Sequence, residues 1–281
     1  MNKLIQDSWD ILKKNPNLYT AVILMLFLSD IITPSPSASV FYIVGVIAYG
    51  CISMAVSAGL TNQIKIVLAT KEKAKFDDLL TGIGKYFNVI LSGNIVLTFI
   101  FGLLFLGLYY AVTQIVVLSP QDIEAFKGVY KGLSKLKQEQ LPEYLKAIDP
   151  HLIKIAYEYF MAFTFYAMVY SLVYFFLGLW TQMCIFKGIT WIEAFKKSYR
   201  IVKKNLGLYT ILTFIQSIFY IMFLSANFVI GDPFTALFFT ILNVVVDTYF
   251  AVLYCLFIYR YDEDNKIELI TDAIQPPISK I

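Results

Sequence analysis

The sequence predicts an all-α integral membrane protein of six transmembrane helices built as three pseudo-repeats, and three observations predict it. Hydrophobic residues make up 58% of the 281 positions and charged residues only 15%, with a mean hydropathy of +0.67; soluble domains carry roughly 25% charged residues. Six apolar runs approach or exceed the roughly 20 residues that a helix rising 1.5 Å per residue needs to cross a bilayer. A thirteen-residue phrase also occurs twice, "SWDILKKNPNLYT" from Ser8 and "SYRIVKKNLGLYT" from Ser198, with eight identical positions. Each copy stands directly before an apolar run.

The runs cover residues 17–33, 40–69, 87–118, 152–186, 206–230 and 234–260. The first is the shortest. The second and fourth are longer than a bilayer requires, which predicts tilt or continuation as helix beyond it. The connectors "TPSPSAS" after the first run and "GDP" after the fifth contain the proline and glycine that end helices, so these two pairs are predicted to be antiparallel hairpins.

Orientation follows from the cations. With the N-terminus inside, 17 of the 23 Lys and Arg residues fall on inner segments, Lys65 and Lys187 among them. The other six, from Lys127 to Lys154, lie in or beside one outer loop, residues 119–150, where acids nearly balance them. The positive-inside rule then places both termini, including a tail over 262–281, in the cytoplasm of a cell membrane. Within the loop, "SPQD" predicts a helix start with Ser119 as N-cap, Pro120 at the first helical position and Asp122 near the positive end. Ile123, Phe126, Tyr130 and Leu133 follow on one face, and a second short helix is expected after Pro142.

The repeated phrase predicts an amphipathic helix lying in the membrane interface. At about 100° per residue, Trp191, Ile192, Ala194, Phe195, Ser198, Tyr199, Ile201 and Val202 share one side, and Glu193, Lys196, Lys197, Arg200, Lys203 and Lys204 share the other. Such a face can sink into the acyl boundary while the cations meet headgroups. The N-terminal copy sets Leu4, Ile5, Ser8, Trp9, Ile11 and Leu12 against Asp7, Asp10, Lys13 and Lys14. A weaker third copy, "FDDLLTGIGKYFNVI", groups Phe76, Leu79, Leu80, Ile83, Tyr86 and Phe87. Three units follow, each an inner interfacial helix and two spans, all entering from the same side and therefore parallel repeats.

Candidate sites are few. Asp247 stands about halfway along the sixth run with Asn243 one turn earlier on the same face, and an ionisable group at bilayer depth is a functional candidate by default. Gly45, Ala48, Ser53, Ser57 and Gly59 would let the second run approach a neighbour closely. No catalytic set is present: a paired aspartate, a Ser/His pair, HExxH, a Walker motif and a Rossmann glycine pattern are all missing. Cys51, Cys184 and Cys255 are isolated in apolar runs, and His151 is the lone histidine, so neither a metal nor another cofactor is expected. The small net charge of +3 and the placement of lysines beside apolar runs argue against nucleic acid and for anionic lipid.

The stretch "GITWIEAFKKSYRIVKKNLGLYTIL", through Glu193-Ala194-Phe195, Ser198, Lys203-Lys204 and Asn205, together with "SWDILKKN" near the N-terminus, resembles a loose group of uncharacterised prokaryotic six-span membrane proteins. That group is similar to the membrane domain attached to some glycerophosphodiester phosphodiesterases. The resemblance implies a membrane-embedded role in lipid or envelope biology and transfers no catalytic residue, because the phosphodiesterase chemistry belongs to a separate soluble domain. The expected function is thus non-enzymatic, through contact with anionic inner-leaflet lipids or with another membrane protein. Trp9, Lys13, Lys14, Trp191, Lys196, Lys197, Arg200, Lys203 and Lys204 form the expected interfacial surface. The alternative is a small transporter or channel with a polar site near Asp247.

Overall fold

The computed structural model describes residues 1–32, 39–116, 118–133, 144, 146–229 and 233–262; apart from Ser39 and Pro233 the two connectors lie outside them, as does nearly all of the tail. The described secondary structure is helical without a strand: α1 (Asn2–Lys14), a 3-10 turn (Pro16–Leu18), α2 (Tyr19–Ile32), α3 (Ser39–Thr70), α4 (Phe76–Ile115), α5 (Pro120–Leu133), α6 (Pro150–Leu177), α7 (Trp180–Lys187), α8 (Trp191–Lys204), α9 (Leu206–Val229) and α10 (Pro233–Tyr261). Five stretches are long and apolar enough to cross a membrane, within α3, α4, α6 with α7, α9 and α10, and a shorter apolar helix spans Pro16–Leu28. The protein is an all-α, membrane-embedded chain.

Two compact units divide it, residues 1–94 with 176–281, and residues 95–175. In the first unit α1 packs along α10. Leu4 and Leu12 of α1 are fully buried, each worth about 2 kcal/mol by removal from water. Tyr249 donates its hydroxyl to the Ile5 carbonyl at 3.3 Å, and Arg260 pairs with Asp7. Close crossing of α3 and α4 depends on two glycines: a Cβ on Gly59 would lie 2.6 Å from the Leu79 carbonyl oxygen, and one on Gly82 2.9 Å from Gly59 Cα. Gly93 performs the same service for Trp180, whose ring would meet a Cβ there at 2.6 Å.

The two copies of the repeated phrase fold alike at their ends. Asn15 closes α1 by donating Nδ2 to the Ile11 carbonyl at 2.9 Å, and Asn205 closes α8 by donating Nδ2 to the Ile201 carbonyl at 3.1 Å. Both backbones leave the helical region there. Each asparagine adds a side-chain bond to a carbonyl of the last turn, and the chain re-enters helix as α2 or α9.

Two expectations are corrected. The third amphipathic segment is not a separate helix: α4 runs unbroken over 40 residues, since "GKYFNVI" lacks the Lys-Asn-Pro or Lys-Asn-Leu-Gly corner that stops the other two. The fourth run is not one helix either. It breaks at Gly178 and Leu179, where Ser198 of α8 receives the freed Leu179 N–H at 3.2 Å and donates to the Phe176 carbonyl at 3.0 Å. Lys65 and Lys187, counted among the inner cations, have buried side chains. Lys65 donates to the Ile185 carbonyl at 3.0 Å, and Lys187 pairs with Asp262. Lys65 closes a polar run, Thr61, Asn62, Gln63 and Lys65, that the fold buries entirely.

In the second unit, Phe101, Tyr166, Tyr170 and Tyr174 form an aromatic ladder between α4 and α6, with centroids 4.5 to 6.5 Å apart. The helix start at Ser119 has the expected form. Ser119 donates its backbone N–H and its hydroxyl to Asp122 Oδ2 at 2.9 and 2.7 Å, and Asp122 N–H returns a bond to Ser119 Oγ at 3.1 Å. These bonds, the side-chain one foremost, hold the Asp122 carboxyl below its ordinary pKa, helped by His151. His151 stands at the start of α6, its Nε2 3.5 Å from Asp122 Oδ1.

Candidate functional sites

Two places in the first unit bring chemistry-bearing side chains together. The first is a cavity of about 410 Å³ among α2, α3, α9 and α10. Asp247 and Asn243, one helical turn apart on α10, both face it, as the spacing requires. Opposite stand Tyr49, Ser53 and Ser57 of α3, and Tyr220 of α9. Tyr220 donates its hydroxyl to Asp247 Oδ1 at 3.1 Å. Asn243 Oδ1 is buried and accepts no hydrogen bond from any described residue, an orphan acceptor of the kind that water or a ligand satisfies. No basic side chain lines the cavity among the described residues.

The small residues of α3 therefore divide. Gly59 packs a helix crossing, whereas Ser53 and Ser57 line the cavity. Tyr220 is a site residue that sequence reasoning missed. One tyrosine among the many aromatics of an apolar helix carries no local signal, and only its pairing with α10 distinguishes it.

The second place is cationic. Trp9 is 41% exposed, meets Tyr249 edge-on at 6.1 Å and carries Lys13 Nζ 5.3 Å over its ring. Lys13 and Lys14 line a cleft of about 910 Å³ together with Lys71 and Lys73 of the α3–α4 loop. The loop lysines are the ones sequence reasoning did not single out; their signal was the "KEKAK" cluster between two apolar runs. On α8, Ala194, Ser198, Ile201 and Val202 are buried, Trp191 lies edge-on to Phe195 at 5.4 Å, and Lys196, Arg200, Lys203 and Lys204 are exposed with Lys197 half-buried. Lys203 rests over Tyr199 at 5.8 Å.

The apolar face of α8 is thus divided. Its centre is spent on protein, with Ala194, Ser198, Ile201 and Val202 buried and Phe195 against Trp180 at 5.0 Å. Ile192 and Tyr199, 49% and 45% exposed, remain at its edge.

Fold and sites together define a polytopic α-helical membrane protein with a polar cavity inside one unit and fixed cationic faces on the same unit. Compared with protein-family models, curated proteins and solved structures, the chain matches none.

Proposed function

We propose that this is a non-enzymatic multi-pass membrane protein that acts through lipid contact, with α1 and α8 seated on the anionic cytoplasmic leaflet and both termini inside. The observation that carries the reading is shared by the two helices. Each buries one narrow stripe, Leu4, Ser8 and Leu12 or Ala194, Ser198, Ile201 and Val202, and ends in a Lys-Lys pair and an asparagine cap immediately before an apolar helix. Cations held at a span's entry meet anionic headgroups at about 1 kcal/mol each. With α4 as a third entry, six spans form three parallel units, α2 crossing as the shortest. A membrane partner bound on the same surface fits this reading equally.

The test is the lipid composition retained by the full chain extracted in polymer discs. Enrichment of anionic over zwitterionic lipid, reduced when Lys196, Lys197, Lys203 and Lys204 are changed to Gln, supports the proposal. Equal enrichment in the variant would exclude it. Labelling of a cysteine at position 70 or 190 by an impermeant reagent added outside would exclude the orientation.

A second reading, a small transporter or channel, is favoured by the Asp247 cavity. A carboxyl group, an orphan amide oxygen and two serine hydroxyls in one cavity suit a polar solute or a proton. Flux into proteoliposomes that is lost in Asp247→Asn would select this reading; equal flux in wild type and variant would remove it.

A further inference from the structure

We propose that the cleft between α1, the α3–α4 loop and α10 is a specific binding site for the phosphate headgroup of one anionic lipid. It rests on the lipid-contact reading but goes further: a single built site, not a diffuse cationic surface.

The charges come first. Seven charged side chains line the cleft: Asp7, Asp10 and Glu72, against Lys13, Lys14, Lys71 and Lys73. Asp7 is taken by Arg260, and Glu72 by Lys75 at 3.3 Å, both partners from outside the lining. Asp10 is left facing four lysines, and neither Lys14, Lys71 nor Lys73 has an ion pair among the described residues. Four lysines lining a recess with one uncommitted acid call for an anion of more than one charge or several acceptor oxygens, and a phosphate supplies both.

The site is also held in shape. Ala74, in the middle of the loop, is buried and gripped from both sides: its N–H goes to Asn15 Oδ1 at 3.0 Å and its carbonyl receives Asn17 Nδ2 at 2.8 Å. Gln63 donates to the Lys75 carbonyl at 2.7 Å, and Asp78 Oδ2 receives the Lys75 N–H at 3.0 Å. The loop is pinned to the corner that α1 makes, so Lys71 and Lys73 stand at a fixed distance from Lys13 and Lys14. The repeated phrase diverges at this point. In "KKNLG" the second copy has Leu206 and Gly207 where the first has Pro16 and Asn17, so α8 ends in the same cap without the second clamp.

An independent observation is the backbone of Lys71. It lies in the left-handed region at φ 59°, the one described non-glycine residue with positive φ. Glycine is the residue that fits a helix end of this kind without strain. Backbone strain of this sort collects where a side chain is needed in place, and here the side chain lines the cleft.

The lining gives the source of the phosphate. Ile11, Val67, Leu68 and Leu256 add apolar side chains to the lining, beside Asn15, Pro16 and Tyr259, and α3 and α10, which carry three of the four, are long and apolar enough to cross a membrane. A free phosphate has no use for that surface; a lipid covers it with its glycerol and proximal acyl carbons.

The test uses the full chain in detergent, observed by native mass spectrometry with phosphatidylglycerol and phosphatidylcholine of the same acyl chains as probes. We expect one phosphatidylglycerol retained per chain in preference to phosphatidylcholine, and about 30-fold weaker retention in the Lys71→Gln, Lys73→Gln double variant. Lys71→Gly separates charge from backbone: it should raise thermal stability while weakening lipid retention about fivefold. Equal retention of both lipids, or wild-type retention in the double variant, overturns the site. Displacement of the lipid by glycerol 3-phosphate or inorganic phosphate at matched concentration assigns the cleft to a free anion and overturns the lipid. Changing Lys196 and Lys197 to Gln should lower general anionic enrichment and leave the retained lipid in place, so failure of the general reading and failure of the site are told apart.

Discussion

Lys187 and Asp262 form an ion pair 2.7 Å long with both side chains out of water, 4% and 9% exposed. Lys187 is the last residue of α7 and Asp262 directly follows α10, whose Ile258 carbonyl receives the Asp262 N–H at 3.0 Å. The pair therefore fastens two helix ends that are 75 positions apart in sequence. Removing one partner leaves a buried charge without compensation, at a cost of about 3 kcal/mol. Lys187→Met should lower the thermal unfolding midpoint in detergent well below wild type, and Lys187→Met with Asp262→Leu should recover most of the loss. A double variant no more stable than the single would show that the pair is not the fastening.

Ser8 and Ser198 occupy the same place in the repeated phrase but bond differently. Ser8 Oγ donates only to the Leu4 carbonyl of its own helix at 2.8 Å, a carbonyl that the helix already satisfies. Ser198 holds the broken end of α6. Ser198→Ala should cost about 2 kcal/mol by stranding a buried N–H, and Ser8→Ala less than about 0.5 kcal/mol. Thermal unfolding of the two variants side by side checks the contrast.

Gly59 and Gly50 lie nine residues apart on α3 and differ in what a side chain would meet. A methyl group at Gly59 strikes backbone, whereas nothing lies within 4 Å at Gly50. Gly59→Ala is expected to cost about 2 kcal/mol or more. Gly50→Ala should be neutral or stabilising by up to about 1 kcal/mol through helix propensity. Yield and monodispersity after extraction, with thermal unfolding, distinguish them.

Asp122 sets a pH dependence of known sign. Its carboxyl is held below the ordinary value by Ser119 and, to a lesser extent, His151. A carboxyl with a lowered folded pKa contributes stability above its unfolded pKa of about 3.9, and the contribution is lost as pH falls through the lower folded value. Amide hydrogen exchange in the first turns of α5 should therefore be slow at pH 7 and, after correction for intrinsic rates, faster near pH 3. Asp122→Asn should be less protected at pH 7 and show little change on acidification. An unchanged pH profile in Asp122→Asn would remove Asp122 as the cause.

Much of the helical layout was legible because it depends on local rules. Apolar runs of spanning length, the Ser119-Pro120-Asp122 start, and the alternation of cations with apolar residues in α1 and α8 are each written within a few residues. The juxtaposition of Asn243 with Asp247 followed from one helical turn. The polar run Thr61, Asn62, Gln63 and Lys65 was visible as well. Four polar residues in an otherwise apolar helix cannot all face lipid, and their burial could have been anticipated on that ground.

What lay beyond the sequence has one physical origin. By itself the sequence determined the all-α class, the membrane character and those helix ends that carry a local signal, such as the start at Ser119 and the asparagine corners after α1 and α8, because hydrogen bonds from i to i−4, capping side chains and apolar periodicity act within one or two turns; the unbroken α4 and the break at Gly178 and Leu179 it did not. Tertiary structure decided which residues with the same local signature do different work. Lys65 and Lys187 are buried while Lys13 and Lys14 stay at the surface; Ser198 mends a broken helix while Ser8 does not; Asn15 clamps a distant loop, and Asn205 only caps. In each case the deciding partner lies outside the residue's own helix, at Ile185, Asp262, Leu179 or Ala74. A buried polar group takes whatever partner the packing brings to it, and that partner is set by the fold and not by its neighbours in sequence.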